Sequence, residues 1–287
     1  MDIFTAPLKL SPEAPIDLHM HTTYSDGRWT ADQLIDYLVQ EGFALVAVTD
    51  HDRVDTINTV RQQAAAKGLP VLVGVEMSTT WRNHAAHILC YGFDPETTPL
   101  RHVIADVKRR QQEQTRQVYD TLKKRGYAFP RAAEVLAASG GEPQQPRDNA
   151  LLLIEHGYAR DWPGALEILR EAGQRTIHAE MAETVEAVHR SGGVALIAHP
   201  GRRERGFTYY DPALLDEVRA EVPLDGIEVY HPYHSPESIE SYLAYVEKHD
   251  LLLSTGSDSH GHAGRMPIKY RAEISRRLLE RLGVQVG

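Results

Sequence analysis

The stretch DLHMHTTYSDG, from Asp17 to Gly27, follows a short apolar run and contains two histidines spaced two residues apart. On a strand, residues i and i+2 point to the same side, so His19 and His21 face one site. Asp258 and His260 repeat this spacing near the other end of the chain. In a parallel α/β sheet or barrel, strand ends from distant parts of the chain share one face, so the two pairs can close on one ion cluster.

Short apolar or β-branched runs alternate with amphipathic segments through much of the chain, which is the pattern of an α/β protein. All seven predicted strands end in, or carry, imidazole or carboxylate groups, and we expect these groups to converge. The predicted strands are Ile16–Met20, Leu45–Thr49, Val71–Val75, Ala86–Tyr91, Val194–Ala198, Gly226–Tyr230 and Leu251–Thr255. The clearest predicted helices are Thr30–Gln40, Val54–Ala66, Ala182–Arg190, Pro212–Arg219, Pro236–Lys248 and Ala272–Arg281.

Residues 100–178 break this alternation, because no convincing strand occurs among them. We expect one α/β domain formed by residues 1–99 and 179–287, with residues 100–178 as a helical insert that covers the active site. Closure of such an insert would exclude water and select substrates by size. The helices expected in the insert are Arg101–Arg125, Arg131–Ala138, Asp148–Glu155 and Pro163–Glu171.

Composition excludes several classes of protein. The 287 residues are 42% hydrophobic and 25% charged, which is ordinary globular composition. A formal net charge of −9 disfavours nucleic-acid binding through the overall field. No apolar run approaches the roughly 18 residues of a membrane helix, and the N-terminus lacks a secretory signal, so we expect a cytoplasmic protein without membrane contact. Cys90 is the single cysteine, which excludes an intramolecular disulfide and a cysteine-rich zinc site. No stable protein partner is evident.

Fifteen histidines are unusual for this length, and many lie at predicted strand ends. Six imidazoles and three carboxylates are too many ligands for one four-coordinate zinc, so they fit two or three divalent ions. Nitrogen and oxygen ligands without thiolate suit manganese, zinc or iron. We favour manganese if the substrate is a phosphate, with zinc and iron as alternatives. The candidate metal ligands are His19, His21, Asp26, His51, Glu76, His87, His199, Asp258 and His260.

The sequence resembles the PHP (polymerase and histidinol phosphatase) family. The resemblance implies a distorted seven-stranded (β/α) barrel of the TIM type with a trinuclear metal centre and a helical insertion. It is strongest to stand-alone members that act on nucleoside 3′,5′-bisphosphates or the 5′ ends of short RNA. The matching motifs are DLHMHTTYSDG at 17–27, VTDHD at 48–52, VGVEMS around Glu76, AHILCYGF at 86–93, IAHPG at 197–201 and GSDSH at 256–260.

The resemblance also implies how the ligands divide among the ions. Glu76 would bridge the first and second metals, and the third metal would be held by the remaining residues. Asp17 and Asp50 are expected to orient histidines without binding metal. The implied sets are His19, His21, Glu76 and Asp258; Glu76, His87 and His199; and Asp26, His51 and His260.

The implied reaction is hydrolysis of a phosphate monoester of a small anionic nucleotide, most simply the 3′-phosphate of a nucleoside 3′,5′-bisphosphate. A metal-bound hydroxide, held by the set that contains His19, His21, Glu76 and Asp258, would attack phosphorus without a covalent intermediate. Several polar residues near strand ends and in the insert are candidate substrate contacts, and loop or helix-cap roles stay open for them. These candidates are Arg202, His231, His234, Ser25, Arg147 and Asn149.

Other activities remain open at this stage. They are 5′–3′ exoribonuclease action on short RNA, a phosphatase acting on histidinol phosphate, and a metal-dependent amidohydrolase. The amidohydrolases commonly use a carboxylated lysine on a strand, and no predicted strand contains lysine. A non-catalytic metal-dependent binding module predicts missing ligands, yet all nine candidate positions are filled.

Overall fold

The computed structural model describes residues 8–204, 206–261 and 265–287. The chain forms two compact units. The sheet unit comprises residues 1–103 and 179–287, and the helical unit comprises residues 104–178. Within the described ranges, no helix is both long enough and apolar enough to span a membrane.

Strands and helices of the sheet unit alternate along the chain in a mixed α/β arrangement. The strands are β1 Lys9–Leu10, β2 Pro15–Asp17, β3 Leu45–Ala47, β4 Val71–Leu72, β5 Gly74–Trp81, β6 His84–Tyr91, β7 Ala179–Glu180, β8 Val194–Ile197, β9 Gly226–Tyr230, β10 Leu252–Thr255, β11 Tyr270–Arg271 and β12 Gln285–Val286. The helices of both units are α1 Ala31–Gln40, α2 Ile57–Ala66, α3 Leu100–Lys124, α4 Ala132–Val135, α5 Pro146–Glu155, α6 Trp162–Glu171, α7 Met181–Arg190, α8 Pro212–Glu221, α9 Pro236–Lys248 and α10 Arg276–Arg281.

Among the described residues, the strands pair into three sheets. The largest sheet has the order β10-β9-β8-β6-β5-β7, a second has the order β11-β2-β3-β4, and β1 pairs with β12. Two isolated parallel bridges, Met20 with Ser259 and His51 with Glu76, link strands of the two larger sheets. Backbone hydrogen bonds at these places include His21 N–H to the Ser259 carbonyl at 2.8 Å. The places where the two sheets meet therefore coincide with the motifs that carry imidazoles and carboxylates.

One strand departs from the parallel arrangement expected from the sequence. The predicted strand 71–75 divides into β4 and β5, and β5 continues to Trp81. It pairs antiparallel with β6, which is also antiparallel to β8. Arg82 and Asn83 form the two-residue turn with φ of 45° and 67°, as a type I′ hairpin requires. Glu76 consequently lies inside a strand rather than at its end.

The interior of the sheet unit is formed by apolar residues from neighbouring strands. Ile16, Leu45, Leu89 and Leu196 come from four different strands and are completely buried. Helix α1 buries Leu34, Ile35 and Leu38, which the sequence places on one face, and begins with a Thr30 capping box. Burial of these side chains supplies the hydrophobic stabilisation that holds the polar strand ends in position.

Close strand contact at Gly226 generates a first prediction. A Cβ at Gly226 would lie 2.3 Å from the Leu252 carbonyl oxygen across the β9–β10 pairing. We expect Gly226→Ala to lower the free energy of unfolding by about 3 kcal/mol, because backbone cannot rotate away from the clash. Urea denaturation followed by circular dichroism measures this loss. Gly287→Ala, where a Cβ meets open space, is the control, and an equal effect in both variants contradicts the prediction.

Candidate metal centre

The Glu76 carboxylate is buried, and imidazole nitrogens surround both of its oxygens. Strand β5 supplies Glu76, and the neighbouring strand ends and loops supply the histidines. Such an arrangement concentrates imidazole nitrogens around a single carboxylate. The nitrogens are His87 Nδ1 and His199 Nε2, each 2.9 Å from Oε1, and His19 Nε2, His21 Nε2 and His51 Nε2 at 3.0, 3.1 and 3.3 Å from Oε2.

Asp258 forms the second acidic centre of the site. Its Oδ1 lies 3.1 Å from His21 Nε2 and 3.4 Å from His260 Nδ1. Its Oδ2 faces two cations, with Arg202 Nη1 at 3.3 Å and Arg265 Nη1 also in contact. Asp258 thus lies between the imidazole cluster and a pair of guanidinium groups.

The structure brings each of the nine predicted ligands into contact with another member of the set. Three groups offer ligand atoms that lie within 4.8 Å of one another. His199 joins them through its contact with Glu76, and His21 belongs to two groups. The groups are His19, His21, Glu76 and Asp258; His51, Glu76 and His87; and His21, Asp26, His51 and His260.

The chemistry of the ligand atoms fits a bound cation. His19 Nδ1–H donates to Glu228 Oε1 at 2.9 Å, so a neutral His19 carries a lone pair on Nε2. That lone pair faces His21 Nε2 at 3.1 Å and Glu76 Oε2 at 3.0 Å. Acceptor atoms at these distances repel unless a proton or a metal ion lies among them.

Electrostatics separates the histidines into two classes. Burial by itself lowers the pKa of His21, but hydrogen bonds to Asp258 and Glu76 outweigh it and raise the pKa to about 9. Burial lowers the pKa of His51 to about 3 and that of His199 to about 4, against the attraction of Glu76. His51 and His199 are therefore neutral at physiological pH, which is the form that binds metal.

Both acidic centres stay ionised. Burial opposes ionisation of Glu76, yet the charge and the hydrogen bond of His19 hold the pKa of Glu76 well below the usual range. Burial likewise opposes ionisation of Asp258, and His19 and His21 hold its pKa well below normal. Two buried carboxylates thus keep their charge at neutral pH, as metal ligands must.

Sequence reasoning gave no role to Glu228, which is completely buried in β9. Its Oε1 accepts the His19 Nδ1–H bond, and its Oε2 accepts the backbone N–H of His199 at 2.7 Å. Gly256 makes room for this carboxylate, since a Cβ there would lie 2.5 Å from Glu228 Oε1. The available sequence signal was an acid among the apolar residues of the strand GIEVY.

Two site residues adopt the left-handed backbone region that L-residues disfavour. His199 has φ of 31° and Asp258 has φ of 50°. The His199 N–H bond to Glu228 helps to hold the first of these conformations. Strained residues of this kind concentrate at functional sites.

Asp17 and Asp50, which the sequence predicts to orient histidines, bind backbone and hydroxyl groups, and Asp17 Oδ1 accepts the backbone N–H of His19 at 3.3 Å. Asp17 accepts the backbone N–H groups of Ser257 at 3.0 Å and Ile268 at 2.9 Å. Burial raises the pKa of Asp17 to about 6. Asp50 accepts the Thr22 backbone N–H at 2.8 Å and the Thr22 hydroxyl at 2.7 Å. Both acids fix the loops that carry the ligands.

Arg202, His231 and Ser25, which the sequence nominates as substrate contacts, lie in the sheet unit. Arg202 contacts Asp258, as described above. His231 Nε2 lies 3.5 Å from Asp258 Oδ2 and has no hydrogen-bond partner among the described residues. Ser25 Oγ donates to Asp50 Oδ1 at 2.7 Å. Arg202 and His231 are thus directed at the candidate centre, while Ser25 supports its loop.

His234 does not offer a free nitrogen to a substrate. Its Nδ1–H donates to the Val229 carbonyl at 2.8 Å, and its Nε2 accepts the Gly201 N–H at 3.0 Å. The predicted phosphate contact at His234 is therefore wrong, because both nitrogens bind backbone.

Asn149 and Arg147 belong to the helical unit. Asn149 is completely buried, and its Nδ2 donates to the Thr115 carbonyl at 2.9 Å. Its Oδ1 has no hydrogen-bond partner among the described residues, and the substrate contact at Asn149 stays a prediction. Arg147, in the first turn of α5, is exposed and stays a predicted contact.

Comparison with known proteins identifies relatives over most of the chain. The 3′,5′-nucleoside bisphosphate phosphatase of Chromobacterium violaceum is 31% identical over 258 residues, which are 88% of this chain and 90% of that protein. The 5′-3′ exoribonuclease Rnm of Salmonella typhimurium is 28% identical over 85% of this chain and 84% of its own length.

Among solved structures, a chain from Bifidobacterium adolescentis assigned to the metal-dependent phosphoesterases superposes with a TM-score of 0.72. It is 25% identical, and the match covers 95% of this chain and 98% of that chain. A PHP domain matches residues 17–190, which include four of the motifs described above. With this match and the relative at 31% identity, the chain belongs to the PHP domain family.

Proposed function

We propose that this chain is a metal-dependent phosphoesterase that removes the 3′-phosphate of nucleoside 3′,5′-bisphosphates. The observation that carries the proposal is the buried Glu76 carboxylate with imidazole nitrogens around both oxygens. A phosphatase of this specificity among the relatives and a phosphoesterase among the similar structures support the choice of reaction.

The three groups of ligand atoms would hold two or three divalent ions, with Glu76 shared between ions. Nitrogen and carboxylate ligands suit manganese, zinc or iron, and we favour manganese for a phosphate substrate. Bound ions would lower the pKa of water and neutralise charge on the phosphoryl oxygens. The group that contains Asp26, whose side chain is 55% exposed, would bind its ion most weakly.

Protein side chains provide substrate binding and proton transfer in this proposal. Arg202 binds a phosphoryl oxygen through its guanidinium group. His231 Nδ1 accepts the Tyr233 backbone N–H at 3.2 Å, so the proton of a neutral His231 ring lies on Nε2. That proton is available to the leaving oxygen, because Nε2 has no hydrogen-bond partner among the described residues.

We also propose a barrel fold for the sheet unit and a role in substrate selection for the helical unit. The bridges Met20–Ser259 and His51–Glu76 support a distorted seven-stranded (β/α) barrel built from the two larger sheets. Residues 100–178 are proposed to form an insert that selects nucleotides, with the exposed Arg147 as one contact. A second candidate function, 5′–3′ trimming of short RNA, is favoured by the exoribonuclease relative.

A phosphate-release screen tests the reaction. We expect the manganese-loaded protein to prefer adenosine 3′,5′-bisphosphate over adenosine monophosphates, histidinol phosphate and 5′-phosphorylated oligonucleotides. Glu76→Gln should lower kcat/KM by about a thousandfold or more, because two of the three ligand groups share this carboxylate. Glu247→Gln, at an exposed position of α9, is the matched control. Preference for oligonucleotides, or full activity of Glu76→Gln, would contradict the proposed 3′-phosphatase activity.

Glu228 provides a prediction about metal affinity. A glutamine at position 228 must present its amide N–H to either the His19 Nδ1–H group or the His199 backbone N–H. We expect Glu228→Gln to weaken metal binding about 10- to 100-fold, measured by metal analysis after dialysis against graded chelator. Metal retention equal to that of wild type and Glu247→Gln would contradict this role.

The raised pKa of His21 predicts how stability depends on pH. Because its pKa in the folded protein, about 9, exceeds the ordinary histidine value of 6.5, protonation of His21 stabilises the metal-free fold at low pH. The free energy of unfolding of chelator-treated protein should therefore fall as pH rises from 6.5 to 9. Urea denaturation at several pH values measures the fall. In His21→Asn the free energy of unfolding should depend less steeply on pH. Identical slopes of this free energy against pH in wild type and His21→Asn would refute the prediction.

A further inference from the structure

An exposed aromatic ring lies beside the candidate metal centre. Tyr233 follows β9 and remains 47% exposed, although its neighbour His231 is buried. The two rings are 5.5 Å apart between centroids. A large exposed ring next to a polar buried site is suited to bind a ligand that is aromatic at one end.

Two guanidinium groups lie close to this ring. The Cζ atoms of Arg202 and Arg265 are 5.1 and 5.7 Å from the Tyr233 centroid. Arg202 also stacks on Phe207, with Cζ 3.6 Å from that centroid. Arg202, Tyr233 and Arg265 lie in the three loops that follow β8, β9 and β10. These loops thus place two guanidinium groups beside one exposed aromatic ring.

Arg202 and Arg265 together place positive charge beside Tyr233. Both contact the same Asp258 oxygen, whose carboxylate also faces His21 through its other oxygen. Glu204 also lies near Arg202, with Oε2 3.4 Å from Nε, and its side chain is 45% exposed and therefore screened by water. Two cations share one buried carboxylate, which suits a phosphate dianion.

We propose that Tyr233 and Arg265 complete a nucleotide-binding subsite with Arg202, in which the guanidinium groups bind phosphate and the tyrosine ring stacks on the nucleobase. The inference rests on the proposed function and deepens it, since it makes the base a recognised part of the substrate. Arg265 and Tyr233 were not among the candidates from the sequence.

The two side chains have separable roles under this proposal. Stacking on Tyr233 depends on the base and tolerates any base, because every base has a π-face. Contact of Arg265 with phosphate is independent of the base. A substrate pair that differs only in the base therefore distinguishes them.

The experiment compares adenosine 3′,5′-bisphosphate with its abasic analogue, 1-deoxyribose 3,5-bisphosphate, using the manganese-loaded full chain. We expect Tyr233→Ala to lower kcat/KM for the adenosine compound about tenfold relative to kcat/KM for the abasic one, within the range that base stacking supplies. Tyr233→Phe should retain the wild-type ratio of the two values. Arg265→Gln should lower both values by similar factors. Leu243→Ala, which truncates an exposed apolar residue of α9, is the control.

Calorimetric titration of the same compounds into chelator-treated protein, which lacks the metal needed for hydrolysis, gives a readout independent of turnover. We expect the wild type to bind the adenosine compound about tenfold more tightly than the abasic one, and Tyr233→Ala to lose this difference. Equal affinities in wild type, or an unchanged ratio in Tyr233→Ala, would overturn the subsite. If no phosphate is released from either compound, the proposed function fails, while the titration still decides the subsite.

Discussion

The arrangement of the site depends on burying an ionised carboxylate, Glu76, inside a strand. A buried charge is costly unless it is paired, and here imidazoles from several loops surround it. Because those imidazoles lie in or just after strands of both larger sheets, the pairing requires the two sheets to meet beside Glu76. The isolated β-bridge between His51 and Glu76 is one of the backbone contacts that join the two sheets there.

Supporting residues make that geometry possible without joining the cluster of ligand atoms. Glu228 binds the His19 ring and the His199 backbone with its two oxygens, so it couples two different parts of the site. Gly256 permits the approach because it has no Cβ. Asp17 and Asp50 bind backbone N–H groups and hydroxyls of the loops. Rigid support of this kind fixes ligand atoms before any ion binds.

The buried part of the site is lined by carboxylates and imidazoles, and the part nearer to solvent is lined by guanidinium groups and an aromatic ring. Asp258 lies at the boundary, with His21 on one oxygen and Arg202 and Arg265 on the other. This order suits a ligand whose phosphate reaches inward and whose flat apolar part stays near the surface. His231, buried between the two zones, provides an N–H group without a described partner.

The sequence by itself determined the α/β alternation, the buried face of α1 and the clustering of His19, His21 and Asp258, because these follow from local periodicity and from the cost of buried polar groups. It did not determine the antiparallel β5–β6 hairpin, since a two-residue turn at Arg82 and Asn83 has no strong sequence signature. Only the tertiary structure decided the roles of Glu228 and His234. A side chain's hydrogen-bond partners are set by which strands and loops pack against it, and spacing along the chain does not contain that information.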